Sequence, residues 1–91
     1  MELRHLRYFS VLAEELHFGR AARRLSISQP PLSVAIRQLE ESVGARLFER
    51  NSKEVRLTHA GEALRISARR LLQQAQEAAL EARDVASGSA G

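Results

Sequence analysis

Leu64, Ala68, Leu71, Ala75, Ala78, Ala82 and Val85 follow one another in alternating steps of four and three. That spacing is a heptad seam, and Leu72, Ala79 and Ala86 widen it. Only a single long helix puts these residues on one stripe. Thr58 can cap it, so the pattern predicts a helix from about 59 to 86. At 1.5 Å per residue such a helix is about 40 Å long. The 58 residues before it cannot cover the whole stripe. The seam therefore asks for a partner helix, most simply that of a second copy. The alternative is a terminal helix folded back on its own core, which the length disfavours. Residues 88–91 read as a flexible tail.

The preceding residues carry shorter helical patterns. In "LRHLRYFSVLAEEL" the apolar positions Leu3, Leu6, Phe9, Leu12, Ala13 and Leu16 predict a first helix over 3–16. In "FGRAARRL", Phe18, Ala21, Ala22 and Leu25 predict a second over 18–25. There the two alanines permit close helix approach, and His17 stands where a better cap would be Ser or Asp. "SIS" breaks the pattern, with Ile27 as a buried turn residue. Pro30 and Pro31 follow, yet they do not forbid a helix. With Ser28 as N-cap they fall in the first turn, whose N–H groups have no intrahelical partners in any case. A third helix over 29–43 then buries Leu32, Ile36, Leu39 and Val43, and Gly44 ends it. Beyond it, "LFER" and "EVRL" flank the turn signal Asn51-Ser52 and predict a small hairpin. The expected fold is mainly α: three helices and a two-stranded hairpin over 1–58, then a long helix over 59–87.

Several function classes are disfavoured. No apolar run approaches the roughly 20 residues that span a bilayer. "MELRHLRYF" is already periodic and does not read as a signal peptide. There is no cysteine, hence no disulfide framework and no thiolate metal site, which fits a cytoplasmic protein. His5, His17 and His59 are scattered without a second ligand at helical spacing, and no phosphate loop or nucleophile motif occurs. Glu14-Glu15 and Glu40-Glu41 read as surface pairs. No catalytic residue, metal site or cofactor is expected.

Charge points elsewhere. Residues 1–60 hold 10 basic and 7 acidic side chains, and residues 61–91 hold 4 and 4, so the net +3 lies in the first two thirds. All basic residues but Lys53 are arginine, the side chain best suited to phosphate and guanine. A solvated basic face is the ordinary reading of such an excess. The arrangement short helix, three-residue turn, second helix sharpens it. This is the helix-turn-helix pattern, whose second helix sets its N-terminal end in the DNA major groove. At about 100° per residue, Pro30, Ser33, Val34, Arg37 and Glu41 fall opposite the core positions. An exposed valine next to two prolines suits thymine methyls, and Gln29 suits adenine edges. Arg50, Lys53 and Arg56 gather around the hairpin tip, the layout of a wing that touches phosphates.

The strings "LRHLRYF", "AARRLSISQPPLS", "IRQLEESVGARLFER" and "VRLTHAG" give the chain a clear resemblance. From residue 1 to about 87 it resembles the DNA-binding domain of LysR-type transcriptional regulators. The resemblance implies a winged helix-turn-helix head over 1–58. It also implies a linker helix over 59–87 that pairs two chains antiparallel, and a further ligand-sensing domain. The chain then reads as a fragment of a longer regulator, any small-molecule inducer belonging to that further domain. Base-proximal roles are implied for Gln29, Pro30, Pro31 and Ser33, and phosphate roles for Arg50 and Lys53. Relatives often carry Arg or Gln after the serine, where this chain has Val34.

The resulting expectation is a bacterial, cytoplasmic, sequence-specific binder of double-stranded DNA at an interrupted palindrome, with no membrane partner. Base-proximal residues are Gln29, Pro30, Pro31, Ser33, Val34 and Arg37; Ser28, Arg50, Lys53 and Arg56 meet the backbone. The wing spans 49–56. Leu64, Ala68, Leu71, Ala75, Ala78 and Ala82 form the homodimer seam. The rival reading is a helical dimerisation or adaptor module whose basic face is only solvated.

Overall fold

The computed structural model describes residues 1–88 of the 91. Its elements are α1 (Leu3–Glu15), α2 (Phe18–Arg24), α3 (Gln29–Val43), β1 (Phe48–Arg50), β2 (Val55–Leu57) and α4 (His59–Ala86). The molecule measures 54 × 25 × 19 Å. Its length comes from α4, whose 28 residues run about 42 Å at the helical rise. The tail expected at 88–91 lies, past Gly88, outside the described residues.

The short helices end where their caps dictate. Leu16 takes a left-handed conformation (φ 50°) after α1, and its N–H returns to the Leu12 carbonyl. His17 caps α2 after all: its Nδ1 accepts the Arg20 N–H at 3.0 Å. The "SIS" turn is a Schellman motif. Ser26, at φ 57°, donates to the Arg23 carbonyl, and the Ile27 N–H reaches the Ala22 carbonyl. Ile27 then packs against the core from the position following the left-handed residue. Arg20 and Arg24 clasp the α1–α2 junction through Glu14 and Glu15. The hydrogen bond from Arg24 holds the Glu15 carboxyl below its ordinary range, with Arg20 adding to the effect.

Leu6, Phe9, Leu12, Ala21, Ala22, Leu32, Ile36, Leu39, Leu47 and Phe48 make the core that α1, α2 and α3 share. Phe9 and Phe48 meet with ring centroids 5.4 Å apart, fixing the hairpin to α1. The strands pair antiparallel, Phe48 opposite Leu57 and Arg50 opposite Val55.

Three expected core positions lie outside it. Leu3 and Leu16 sit at the two ends of α1 and are exposed. Val43 is 42% exposed, because the chain turns away at Gly44 (φ 81°) and Glu40, one turn earlier, meets the following strand instead.

The seam of α4 divides. Gly61 and Ala68 are buried within the chain, and Leu64 and Leu72 pack against the core, so the first turns of α4 dock on the molecule's own head. Of the expected seam residues, Ala68 is taken up by the molecule's own core and Leu64 is half-buried against it. Ala68 has no accessible surface to offer a second chain. Beyond Ala68 the cover is partial and then lost: Leu71 is 38% exposed, Leu72 and Ala75 are half-buried, Ala78 and Ala82 are exposed, and Val85 is 62% exposed. The proximal half of the last helix thus folds back on the molecule's own head, and the distal half leaves an apolar stripe uncovered. Among the described residues no helix is long and apolar enough to cross a membrane.

Candidate nucleic-acid interface

The surface of interest is the side of α3 that the core does not use. Leu32, Ala35, Ile36 and Leu39 face inward. Gln29, Pro30, Pro31, Val34 and Arg37 are exposed on the other side, and Ser33 is half-buried at its margin. Val34 is 45% exposed, so the apolar position predicted opposite the core stands there. Both prolines lie in the first turn, as their missing N–H groups require. Ser28 occupies the N-cap position in extended conformation, but its hydroxyl makes no capping hydrogen bond, a departure from the expected cap. The first turn also lacks any acidic side chain. The end of the helix dipole is thus left to attract an anion.

The hairpin stands beside the other end of α3. Its turn is built by Asn51, whose Oδ1 accepts the N–H groups of Lys53 and Glu54 at 2.8 and 2.9 Å. Lys53 is exposed at the tip. Arg56 is exposed on β2, with its Nε 3.8 Å from Glu54. Arg50 departs from the tip cluster expected for it. Its guanidinium folds back to donate to Glu40 Oε1 at 3.2 Å and lies 5.3 Å from the centroid of the Phe18 ring. Between α3 and the hairpin an open cleft of about 700 Å³ is lined by Arg37, Arg46 and Arg50 with Glu40, Glu41, Gly44 and Ala45.

Two residues that organise this surface are not the ones the sequence points to. Glu40 reads from the sequence as half of a surface pair, yet it is 9% exposed. It falls within the apolar stripe 32, 36, 39, 43, and a carboxylate in such a stripe needs polar partners; that was the available signal. Gly61 gave no sequence signal. A Cβ there would stand 2.1 Å from the Leu47 carbonyl oxygen, so only glycine lets α4 start against the hairpin's base. Thr58 completes the join, accepting the Gly61 N–H at 2.9 Å and donating to the Arg46 carbonyl at 2.7 Å. Among the described residues no group of three or more His, Cys, Asp or Glu side chains could hold a metal ion.

This architecture has close counterparts among known proteins. The family described as "Bacterial regulatory helix-turn-helix protein, lysR family" matches residues 3–62. The HTH-type transcriptional regulator YnfL of Escherichia coli (strain K12) is 53% identical over 91 residues, covering 100% of this chain and 31% of YnfL. The chain thus spans about a third of the length of curated relatives such as YnfL. Among solved structures, the BenM DNA-binding domain with catB site 1 DNA superposes with a TM-score of 0.90 at 44% identity, over 96% of this chain and 98% of that one. The CbnR DNA-binding domain in its DNA complex gives 0.91 at 40% identity, over 94% and 99%. The winged fold, the motif strings and these relatives agree, and the chain belongs to the lysR family of bacterial regulatory helix-turn-helix proteins.

Proposed function

We propose that this chain reads double-stranded DNA in the bacterial cytoplasm as the DNA-binding part of a transcription regulator. In that reading residues 1–58 are the head and 59–87 the linker helix. α3 enters the major groove by its N-terminal half, and the wing rests on the sugar–phosphate backbone. The observation that carries the reading is the uncovered face of α3, where Gln29, Pro30, Pro31, Val34 and Arg37 stand together on the side the core leaves free. Solved relatives of this fold stand in complexes with DNA, which favours a duplex over an adaptor role. No catalytic step is assigned. An inducer, where the parent protein uses one, belongs to the remaining length of that protein.

The tip of α3 supplies the test. Pro30, Pro31 and Val34 make a slim apolar end, and Val34 reads a thymine methyl. One buried methyl is worth on the order of 1 kcal/mol, or several-fold in affinity. Enrichment from a random duplex library gives the preferred site. Val34→Ala should then bind that site several-fold more weakly, with little loss on unrelated duplex. Replacing the contacted thymine by uracil removes only the methyl and should cost a similar factor, and the two losses should not add. If both changes are silent, or if their losses multiply, Val34 does not read a methyl.

The distal part of α4 pairs two copies, which spaces two heads along an interrupted palindrome. Leu71, Ala75, Ala78 and Ala82 supply the seam in this reading, Leu64 and Ala68 having been drawn into the head. Ala78 is exposed in the single chain, so a glutamate there does not disturb the head. In a dimer the same glutamate is desolvated without a partner. Ala78→Glu should convert a sedimenting dimer to monomer while leaving the thermal unfolding of the head in place. A wild-type chain that is monomeric at high concentration would remove the basis for the paired seam.

A further inference from the structure

Glu40 is a buried carboxylate that the reading of DNA does not yet use. Its Oε2 accepts the backbone N–H groups of Leu47 at 2.8 Å and Phe48 at 3.3 Å, the residues that open the wing. Its Oε1 accepts from Arg50 at the far end of the same strand, 3.2 Å away. Arg46 adds a looser approach, its Nε 3.8 Å from Oε2. One side chain on the reading helix thus holds the entrance of the wing and the last residue of its first strand. The Phe18 ring meets Arg50 5.3 Å away, so the guanidinium is fixed by an anion and an aromatic ring.

A carboxylate used only to close a turn has no need of the arginine. A guanidinium carries five N–H donors in a rigid fork, and Glu40 engages it through one of its terminal nitrogens. Arg50 also lines the open cleft that Arg37 and Arg46 border. A fork already immobilised loses less rotamer freedom when it meets a phosphate oxygen. The negative charge of Glu40 does not oppose that phosphate in full, because two amides and a guanidinium share it.

We propose that Glu40 is a positioning residue for DNA binding: it locks the wing in register with the reading helix and presents Arg50, pre-oriented, to the backbone phosphate beside the α3–wing cleft. The proposal rests on the DNA-binding reading above, and it moves Arg50 from the wing tip to the cleft.

The test uses the whole chain and its library-selected duplex. Glu40→Gln keeps the shape but has only one oxygen. Turned toward the wing amides, that oxygen leaves an NH2 group facing Arg50, and the guanidinium is released. The variant should remain folded by circular dichroism. It should bind roughly tenfold more weakly, with the slope of log affinity against log salt flatter by about 2, one phosphate contact per head. Discrimination between the selected site and one altered under Val34 should not change, which a general loosening of the head would not spare. Arg50→Gln should produce the same changes, and the double variant no more than either. If Glu40→Gln fails to fold, Arg50→Gln decides alone, since it leaves the Leu47 and Phe48 bonds in place. An unchanged slope in either folded variant, or losses that multiply in the double, overturns the proposal. A wild-type chain that binds no duplex overturns the functional reading itself, and this inference with it. The two failures are therefore told apart by the wild-type arm.

Discussion

Raising salt from about 50 to about 200 mM should weaken duplex binding by at least about 10³-fold. The estimate comes from the cations this surface leaves available. Arg20 and Arg24 are paired with Glu14 and Glu15 at the α1–α2 junction, so they are discounted. Arg37 and Lys53 are exposed along α3 and the wing, and Arg56 is exposed there with only a loose 3.8 Å approach to Glu54. Three contacts on each of two heads give about six neutralised phosphates, hence a log–log slope of about −5, and a fourfold rise in salt costs about 10³. Arg46 and Arg50 at the cleft steepen it further, toward 10⁵ for ten contacts. Lys53→Ala should flatten the slope by about 2 in the dimer and weaken every duplex alike, because a phosphate contact carries no base information. A titration of labelled duplex at four salt concentrations measures both. Salt-independent affinity would remove the wing and cleft from the interface. A Lys53→Ala loss confined to one base position would give that side chain a different role.

How much of this surface was legible in advance depended on what each residue's position leaves visible. The apolar periods of α1 to α3 and the two prolines located the reading helix and its exposed face. Those signals act within one element, where spacing alone decides which side meets the core. Val34 opposite Leu32 and Ile36 is such a case. The placements that failed all needed a second element. Arg50 is one residue from the wing's turn, and sequence puts it at the tip; Glu40 and Phe18, 10 and 32 positions upstream, draw it back. Glu40 reads as a surface charge beside Glu41; its place in the stripe signals a need for polar partners, but only the fold shows that the Leu47 and Phe48 amides supply them. Ala68 continues the heptad without a break, yet the stripe passes from the molecule's own core to open surface between Ala68 and Ala78, and a uniform repeat does not mark that change. Ser26 took the left-handed turn position usually left to glycine, so the Schellman motif had no sequence signature.

Gly61→Ala should destabilise the head by about 3 kcal/mol, the upper part of the range for overpacked sites. Helix propensity alone predicts the reverse, a gain of about 1 kcal/mol for replacing glycine in a helix. Geometry decides between them. A Cβ at this position would stand 2.1 Å from the Leu47 carbonyl oxygen, 3.1 Å from its carbonyl carbon and 2.9 Å from Leu57 Cδ2. The leucine tip can rotate away, but the carbonyl cannot. It accepts the Thr58 N–H at 3.0 Å, and the Leu47 N–H is in turn held by Glu40 at 2.8 Å. Making room for one methyl therefore means shifting α4 off the hairpin or breaking the join that Thr58 makes with residues 46 and 47. Either route also strains the wing's register with α3. For a domain of this size the loss corresponds to a fall in melting temperature of roughly 10–20 °C. Gly44→Ala provides the comparison. Its Cβ would meet nothing within 4 Å, so only the left-handed backbone (φ 81°) opposes it, at about 1 kcal/mol. Thermal unfolding of the two variants beside the wild type should rank Gly61→Ala well below Gly44→Ala. A Gly61→Ala protein as stable as wild type would mean that α4 does not start against the Leu47 carbonyl, and with it the route by which the linker helix bears on the wing would be lost.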